Sequence, residues 1–251
     1  MIGQALQGTI TKKIIITNIF VFLVFNILLI SEKNFYLFGL VPDLFWSGAL
    51  WQPLTSIFLH GGLLHIAFNM FALYSLGIMV EHQLGASNYL KLYLGAGLIG
   101  SLFVILFQGN TKVPTIGASG AVTGILGALA VLNPNSMLMI LFFPMRARTA
   151  AVLIGAISFI FGFFAAESGI SHLGHLGGLI GGVLLARYFF THRRSHSTPI
   201  EDDFEVRDNG FNLNEFFRAA KDRFEQSETI KPKEKVLVYD PRTGKYYYEL
   251  K

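Results

Sequence analysis

Cysteine is absent from all 251 residues, so disulfides, thiolate metal centres and a thiol nucleophile are excluded. Charge is scarce over most of the chain: residues 1–190 hold 8 Lys/Arg and 4 Asp/Glu, whereas residues 191–251 hold 12 of each. With 52% hydrophobic residues, 14% charged residues and a mean hydropathy of +0.50, a water-soluble globular chain is excluded. The tail's charges cancel, so the net charge of +4 belongs to the apolar portion. That places the basic character in membrane topology rather than in nucleic-acid binding. Carboxylates are scarcest: the apolar portion has only Glu32, Asp43, Glu81 and Glu167.

What is present is long apolar runs. A spanning helix needs about 20 mostly apolar residues, and six stretches qualify: Ile14–Ile30, Leu63–Val80, Tyr89–Phe107, Ile116–Leu132, Thr149–Ala166 and Ile170–Phe190. The first follows Lys12 and Lys13 as a signal peptide would, but it is long for one, and Ile30-Ser31-Glu32-Lys33 offers no small-x-small cleavage pattern. It reads as a retained span. The fourth is rich in small residues, from Gly117 to Ala128, and so belongs inside a bundle rather than against lipid. The expected fold is all-α and polytopic, a six-helix transmembrane bundle over residues 1–190. A linker (191–210) and a small α+β tail (211–251) follow.

Basic residues set the orientation. One side receives Lys12, Lys13, Lys91, Arg146, Arg148 and Arg187, and the other only Lys33 and Lys112. Both termini are therefore expected in the cytoplasm, and the second, fourth and sixth helices begin on the outer side. His65 and Asn69 then lie early in the second helix with His60 just before it, Ser119 early in the fourth, and His175 early in the sixth. At about 1.5 Å per residue they form one layer roughly 10 Å deep. Polar groups at membrane depth face a bundle interior or a watery cavity and mark function.

Spacing sharpens that layer. His65 and Asn69, at i and i+4, share a face with donors turned inward. His175, Gly178 and Gly182 form a smooth stripe on the sixth helix, and Gly120, Gly124 and Ala128 form another on the fourth, so these two helices can pack closely. Ser119 and His175 would meet at the outer end of the contact. A serine beside an imidazole is a minimal activated nucleophile. No carboxylate is placed to complete a triad, so a hydrolase here uses a dyad. The Ser119 amide, His65 and Asn69 are the available oxyanion donors.

The plain readings differ. A lone serine in a small-residue helix ordinarily serves packing or back-bonds its own helix, and one intramembrane histidine is as often structural as functional. The joint placement favours the site. Gly117-Ala118-Ser119-Gly120 is not the strand-borne elbow of α/β-hydrolases. His172, three residues before His175, reads as a loop residue, since no carboxylate or thiolate stands nearby to complete a metal site. His82, His192 and His196 read as solvated. Phe35, Tyr36, Phe38, Phe45, Trp46 and Trp51 suit a membrane interface.

Gly117-Ala118-Ser119-Gly120, His175-Leu176-Gly177-Gly178 and His60-x4-His65-x3-Asn69, in this order on the fourth, sixth and second helices, resemble the rhomboid intramembrane serine proteases from about Trp51 to Tyr188. The resemblance implies Ser119 as nucleophile, His175 as general base, and His65, Asn69 and the Ser119 amide as oxyanion hole. It implies His60 as active-site support, Glu81 as a helix-capping glutamate, and a cap loop around Glu167–Ser171. It implies transmembrane protein substrates in a lipid bilayer and no cofactor, metal or nucleic acid. Two positions depart from the family pattern: Trp51-Gln52 replaces a frequent Trp-Arg, and Thr123 stands where an aromatic often stacks on the catalytic imidazole. The expectation is a serine endopeptidase in a bacterial inner membrane. The alternatives are a catalytically silent rhomboid-like protein that binds transmembrane helices and a His-lined metal or proton transporter.

In the tail, Leu213, Phe217, Ala220 and Phe224 are at helical spacing over 211–225. Val236–Tyr239 and Lys245–Leu250, across Asp240-Pro241-Arg242-Thr243-Gly244, read as a β-hairpin.

Overall fold

The structure is a computed structural model; it describes residues 9–29, 31–108, 112–140, 143–164, 171–194, 235–240 and 245–250. Contacts divide the chain into two compact units, Met1–Asp202 and Asp203–Lys251. In the second, β3 (Lys235–Asp240) pairs antiparallel with β4 (Lys245–Leu250), with Asp240 opposite Lys245. The helix expected over 211–225 lies outside the described residues.

The first unit is mostly helical. α1 (Thr9–Leu23) runs into a π-helical turn, Val24–Leu28. Three short helices follow, α2 (Glu32–Phe38), α3 (Pro42–Trp46) and α4 (Gln52–Thr55). Then come α5 (Leu63–Leu84), α6 (Ala86–Phe107), α7 (Ser119–Leu132), a hairpin of β1 (Met137–Ile140) and β2 (Phe143–Arg146), α8 (Ala147–Phe164) and α9 (His172–Arg194). Among the described residues five helices are long and apolar enough to cross a membrane: Ile10–Leu28, Leu63–Leu84, Ala86–Phe107, Ala147–Phe164 and His172–Phe190. This is a polytopic helical membrane protein.

The fourth apolar stretch differs from its expected bounds. α7 has 14 residues and starts at Ser119, not Ile116, because Gly117 takes φ +122°, a left-handed value that only glycine adopts cheaply. α7 is the hub of the bundle, packed against α5, α6, α8 and α9, and Ala121, Val122 and the run from Gly124 to Leu129 are buried. Against α9 the contact is backbone on backbone. A Cβ on Gly178 would overlap the Gly120 carbonyl, and one on Gly182 the Gly124 carbonyl. Stripes without side chains let two helices approach to this degree.

α1 starts five residues earlier than its apolar run, since its first turn is held by a distant group. α5 continues to Leu84 and so contains Glu81, whose carboxylate accepts from the Ile10 and Thr11 amides at 2.8 and 2.9 Å and from Thr11 Oγ1 at 2.8 Å. An anion at a helix N-terminus satisfies amides that have no partner within the helix.

The segment from α2 to α4 is pinned through Gln52, which is buried. Its Oε1 accepts from the Val41 amide at 3.1 Å and its Nε2 donates to the Tyr36 carbonyl at 2.8 Å. Trp51 Nε1 donates to Leu37 O at 2.8 Å and Thr55 Oγ1 to Phe38 O at 2.6 Å. Here a neutral amide braces the loop because backbone groups of both polarities face it. Gln52→Leu keeps the volume but strands both backbone groups. It is expected to destabilise by about 1–3 kcal/mol, measured as a lowered thermal midpoint in detergent, whereas a Gln52→Arg variant keeps only the donor half.

Candidate active site

The short α7 puts Ser119 at its first position. Gly117 makes the turn, its amide donating to the Ser56 carbonyl at 2.9 Å, so the Ser119 amide belongs to the first turn, where amides have no partner within the helix. On α9, the His175 amide is fixed to the Ser171 carbonyl at 3.0 Å. The close helix contact then brings His175 Nε2 to 2.7 Å from Ser119 Oγ, within hydrogen-bond reach for proton transfer.

Thr123 links the same two helices. Its hydroxyl proton is shared between the Gly120 carbonyl at 2.8 Å and the His175 carbonyl at 3.1 Å. Thus the backbone of His175 is tied to α7 one turn below Ser119, at a position where sequence reasoning registered only a missing aromatic. The available signal was the i+4 spacing from Ser119, but a helical threonine ordinarily bonds only within its own helix.

His65 and His60 stack on the turn before α7. The His65 ring lies against Gly117, where a Cβ would come within 2.7 Å of Nε2, and the two imidazoles meet edge to face at 5.0 Å. His60 is fully buried, and its Nε2 accepts from the Ala118 amide at 3.4 Å. Its own carbonyl accepts from Asn26 Nδ2 at 3.1 Å. Burial, with His65 alongside, pushes the His60 imidazole down to about 4, so it stands neutral at pH 7 as this acceptor role requires. His60 therefore orients the residue preceding Ser119.

Asn69 is buried one turn below His65, and its Nδ2 donates to the His65 carbonyl at 2.9 Å. One amide hydrogen is thus used within α5; neither Asn69 nor His65 lines the cavity beside Ser119. His172 is the first residue of α9 rather than a loop residue. Its ring stacks on Phe161 of α8 at 5.3 Å and meets His175 edge to face at 6.2 Å.

A small cavity of about 30 Å³, room for a water or two, adjoins the pair, with Ser56, Ser101, Thr115, Ser171, Ser119 and His175 in its wall. The hydroxyls give water several partners. Of the cap loop expected around Glu167–Ser171, only Ser171 is among the described residues.

A polytopic helical membrane protein with serine and imidazole joined at one end of a closely packed helix pair is thereby defined. Comparison with known proteins assigns it further. The model of the family described as "Rhomboid domain" matches residues 47–192. The chain is 41% identical over 140 residues to Rhomboid protease GluP of Bacillus subtilis, covering 56% of this chain and 26% of that protein. It is 32% identical over 187 residues to the bovine mitochondrial Presenilin-associated rhomboid-like protein, covering 72% and 48%. It is also 34% identical over 134 residues to Inactive RHOMBOID-like protein 8 of Arabidopsis thaliana, covering 52% and 36%. The chain thus spans between about a quarter and a half of the length of these relatives. It belongs to the rhomboid family.

Proposed function

We propose that the protein is an intramembrane serine endopeptidase that cleaves transmembrane protein substrates with a Ser119–His175 dyad. The observation that carries this reading is the 2.7 Å contact of Nε2 with Oγ at the end of a closely packed helix pair. Ser119 Oγ attacks the scissile carbonyl carbon while His175 Nε2 takes its proton; the imidazolium then protonates the leaving amine as the C–N bond breaks. Water from the adjoining cavity, deprotonated by the same nitrogen, attacks the acyl-enzyme and releases Ser119. Charge on the tetrahedral oxygen is met by the Ser119 amide, His65 and the remaining Asn69 hydrogen. His60 acts through the turn it holds. No cofactor enters this scheme. The test is cleavage of a model transmembrane substrate by the purified protein in lipid.

A second reading is a silent binder of transmembrane helices, favoured by the likeness to a relative named inactive. Labelling of Ser119 by a fluorophosphonate separates the two: an activated serine reacts, and a packing serine does not.

α7 is read as the fourth of six spans, added to the five long ones and shortened because protein rather than lipid surrounds it. The core is assigned to residues 1–190, with a linker to 210 and a cytoplasmic tail to 251. We read both termini as cytoplasmic from the excess of basic residues on that side, and the membrane as a bacterial inner membrane. Cysteines introduced at Lys33 and Lys112 are expected to react with an impermeant maleimide on intact cells, and one at Arg146 only after lysis. The opposite pattern reverses the topology.

Asn69→Ala is expected to lower kcat by about tenfold with KM little changed, because its free amide hydrogen serves charge that develops only in the tetrahedral state. Steady-state kinetics on one reconstituted substrate check this. A raised KM at constant kcat would make Asn69 a docking group instead.

A further inference from the structure

The apolar run between α7 and α8 forms neither a loop nor a span. β1 and β2 pair antiparallel, Met137 opposite Arg146, Leu138 opposite Met145, Met139 opposite Pro144 and Ile140 opposite Phe143. Leu138 is buried, with Ile140 and Met145 packed on the same core cluster. In water the opposite face of such a hairpin should be polar. Here it carries Met137, Met139 and Pro144, and Arg146 is the sole charged residue of the two strands. Met139 is 62% exposed and Phe143, toward the tip, 71%.

We propose that the β1–β2 hairpin is a membrane-inserted element, seated at the acyl–headgroup boundary of an anionic leaflet on the face opposite Ser119. Three observations favour lipid as the occupant. The hairpin leads directly into α8, a helix long and apolar enough to cross a membrane, on which Val152 and Leu153 are exposed. Arg146 and Arg148, both exposed, sit where the hairpin joins that helix, two cations beside an apolar surface that suit anionic headgroups. The hairpin cannot swing away, since the Ala147 amide donates to Ser136 O at 2.8 Å and the Arg148 amide to Pro134 O at 3.2 Å.

The depth follows from the backbone. Among the described residues the sheet has only these two strands, so each has an edge of amides and carbonyls that hydrocarbon cannot satisfy. Headgroups and interfacial water can, while side chains reach the acyl region, as amphipathic elements do at about 5–10 Å. The element thereby sets the depth at which α7 ends and α8 begins. This inference does not depend on the protease reading.

These 251 residues include no cysteine, so single spin labels can be placed at Met139→Cys and Phe143→Cys without background. Asn135→Cys in the adjoining turn serves as the aqueous reference and Val152→Cys as the lipid reference. In vesicles of phosphatidylcholine with phosphatidylglycerol, labels at 139 and 143 are expected to collide more with oxygen than with a nickel chelate, as at 152 and opposite to 135. Excess nickel collision at both positions overturns the proposal. So does weak collision with both reagents, which means that protein, a second copy or another partner, covers the face. Omitting phosphatidylglycerol is expected to make the label at 143 shallower, and Arg146→Gln with Arg148→Gln to remove that dependence. Equal depth in both lipids refutes the anionic component.

Discussion

Ser119→Ala is expected to abolish cleavage of a reconstituted transmembrane substrate, by roughly 10⁴-fold or more, and to leave the thermal midpoint nearly unchanged. The substitution removes one oxygen. That oxygen's bond to His175 is a neutral hydrogen bond worth about 1 kcal/mol, and alanine suits an α-helix at least as well as serine. The position is already held by the Gly117 turn and by contacts in which the hydroxyl has no part, so fold and chemistry separate cleanly here. Turnover within tenfold of the unmodified protein, with the fold intact, would remove Ser119 from the mechanism. Equal loss of stability and activity would return it to the packing role that a serine in a small-residue helix ordinarily has.

Gly178→Val is expected to remove activity almost as completely by a different route, lowering stability at the same time. A Cβ there would occupy the Gly120 carbonyl and come within 2.9 Å of Thr123 Oγ1. Neither can retreat without moving α7 away from α9. Overpacking costs about 1–3 kcal/mol. Displacement of a reacting group by about 1 Å costs about 10²-fold in rate, so shifting Nε2 from its 2.7 Å contact is the larger functional effect. Gly181→Ala is the comparison. Its Cβ would meet the Ile99 side chain on α6, whose Cδ1 and Cγ2 can rotate away while its Cβ, at 3.0 Å, needs a shift of only a few tenths of an ångström, so it should cost some stability and leave much of the turnover. Kinetics and thermal unfolding of the two variants, run side by side, test whether the backbone contact sets the catalytic distance. Retention of both properties by Gly178→Val would show that it does not.

Hydropathy made the long helices legible because burial in lipid and burial in protein both demand apolar residues. The juxtaposition of α7 with α9 was legible for another reason: Gly120, Gly124, Gly178 and Gly182 recur at helical spacing, and residues without side chains mark where backbones touch. What escaped reading consists of single bonds between distant segments. The start of α7 depends on a left-handed Gly117, and composition says only that a small residue stands there. Thr123 and Gln52 looked like departures because the sequence shows which side chain is absent, not which backbone groups are waiting for a partner. The β1–β2 hairpin was hidden for a related reason. An apolar stretch too short to span carries no periodicity that separates a strand from a loop, and a hairpin apolar on both faces lacks the alternation that marks one in water.

The clasp of Glu81 on the first turn of α1 joins groups 70 and 71 positions apart in the chain. During synthesis the opening amides of α1 therefore leave the ribosome long before the carboxylate that receives them. Until α5 has been threaded through the bilayer and its final turn formed, α1 remains a frayed rod whose first turn water or headgroups must satisfy. Its docking then closes a loop of that length after α5 is in place, rather than being the founding step its place in the sequence implies.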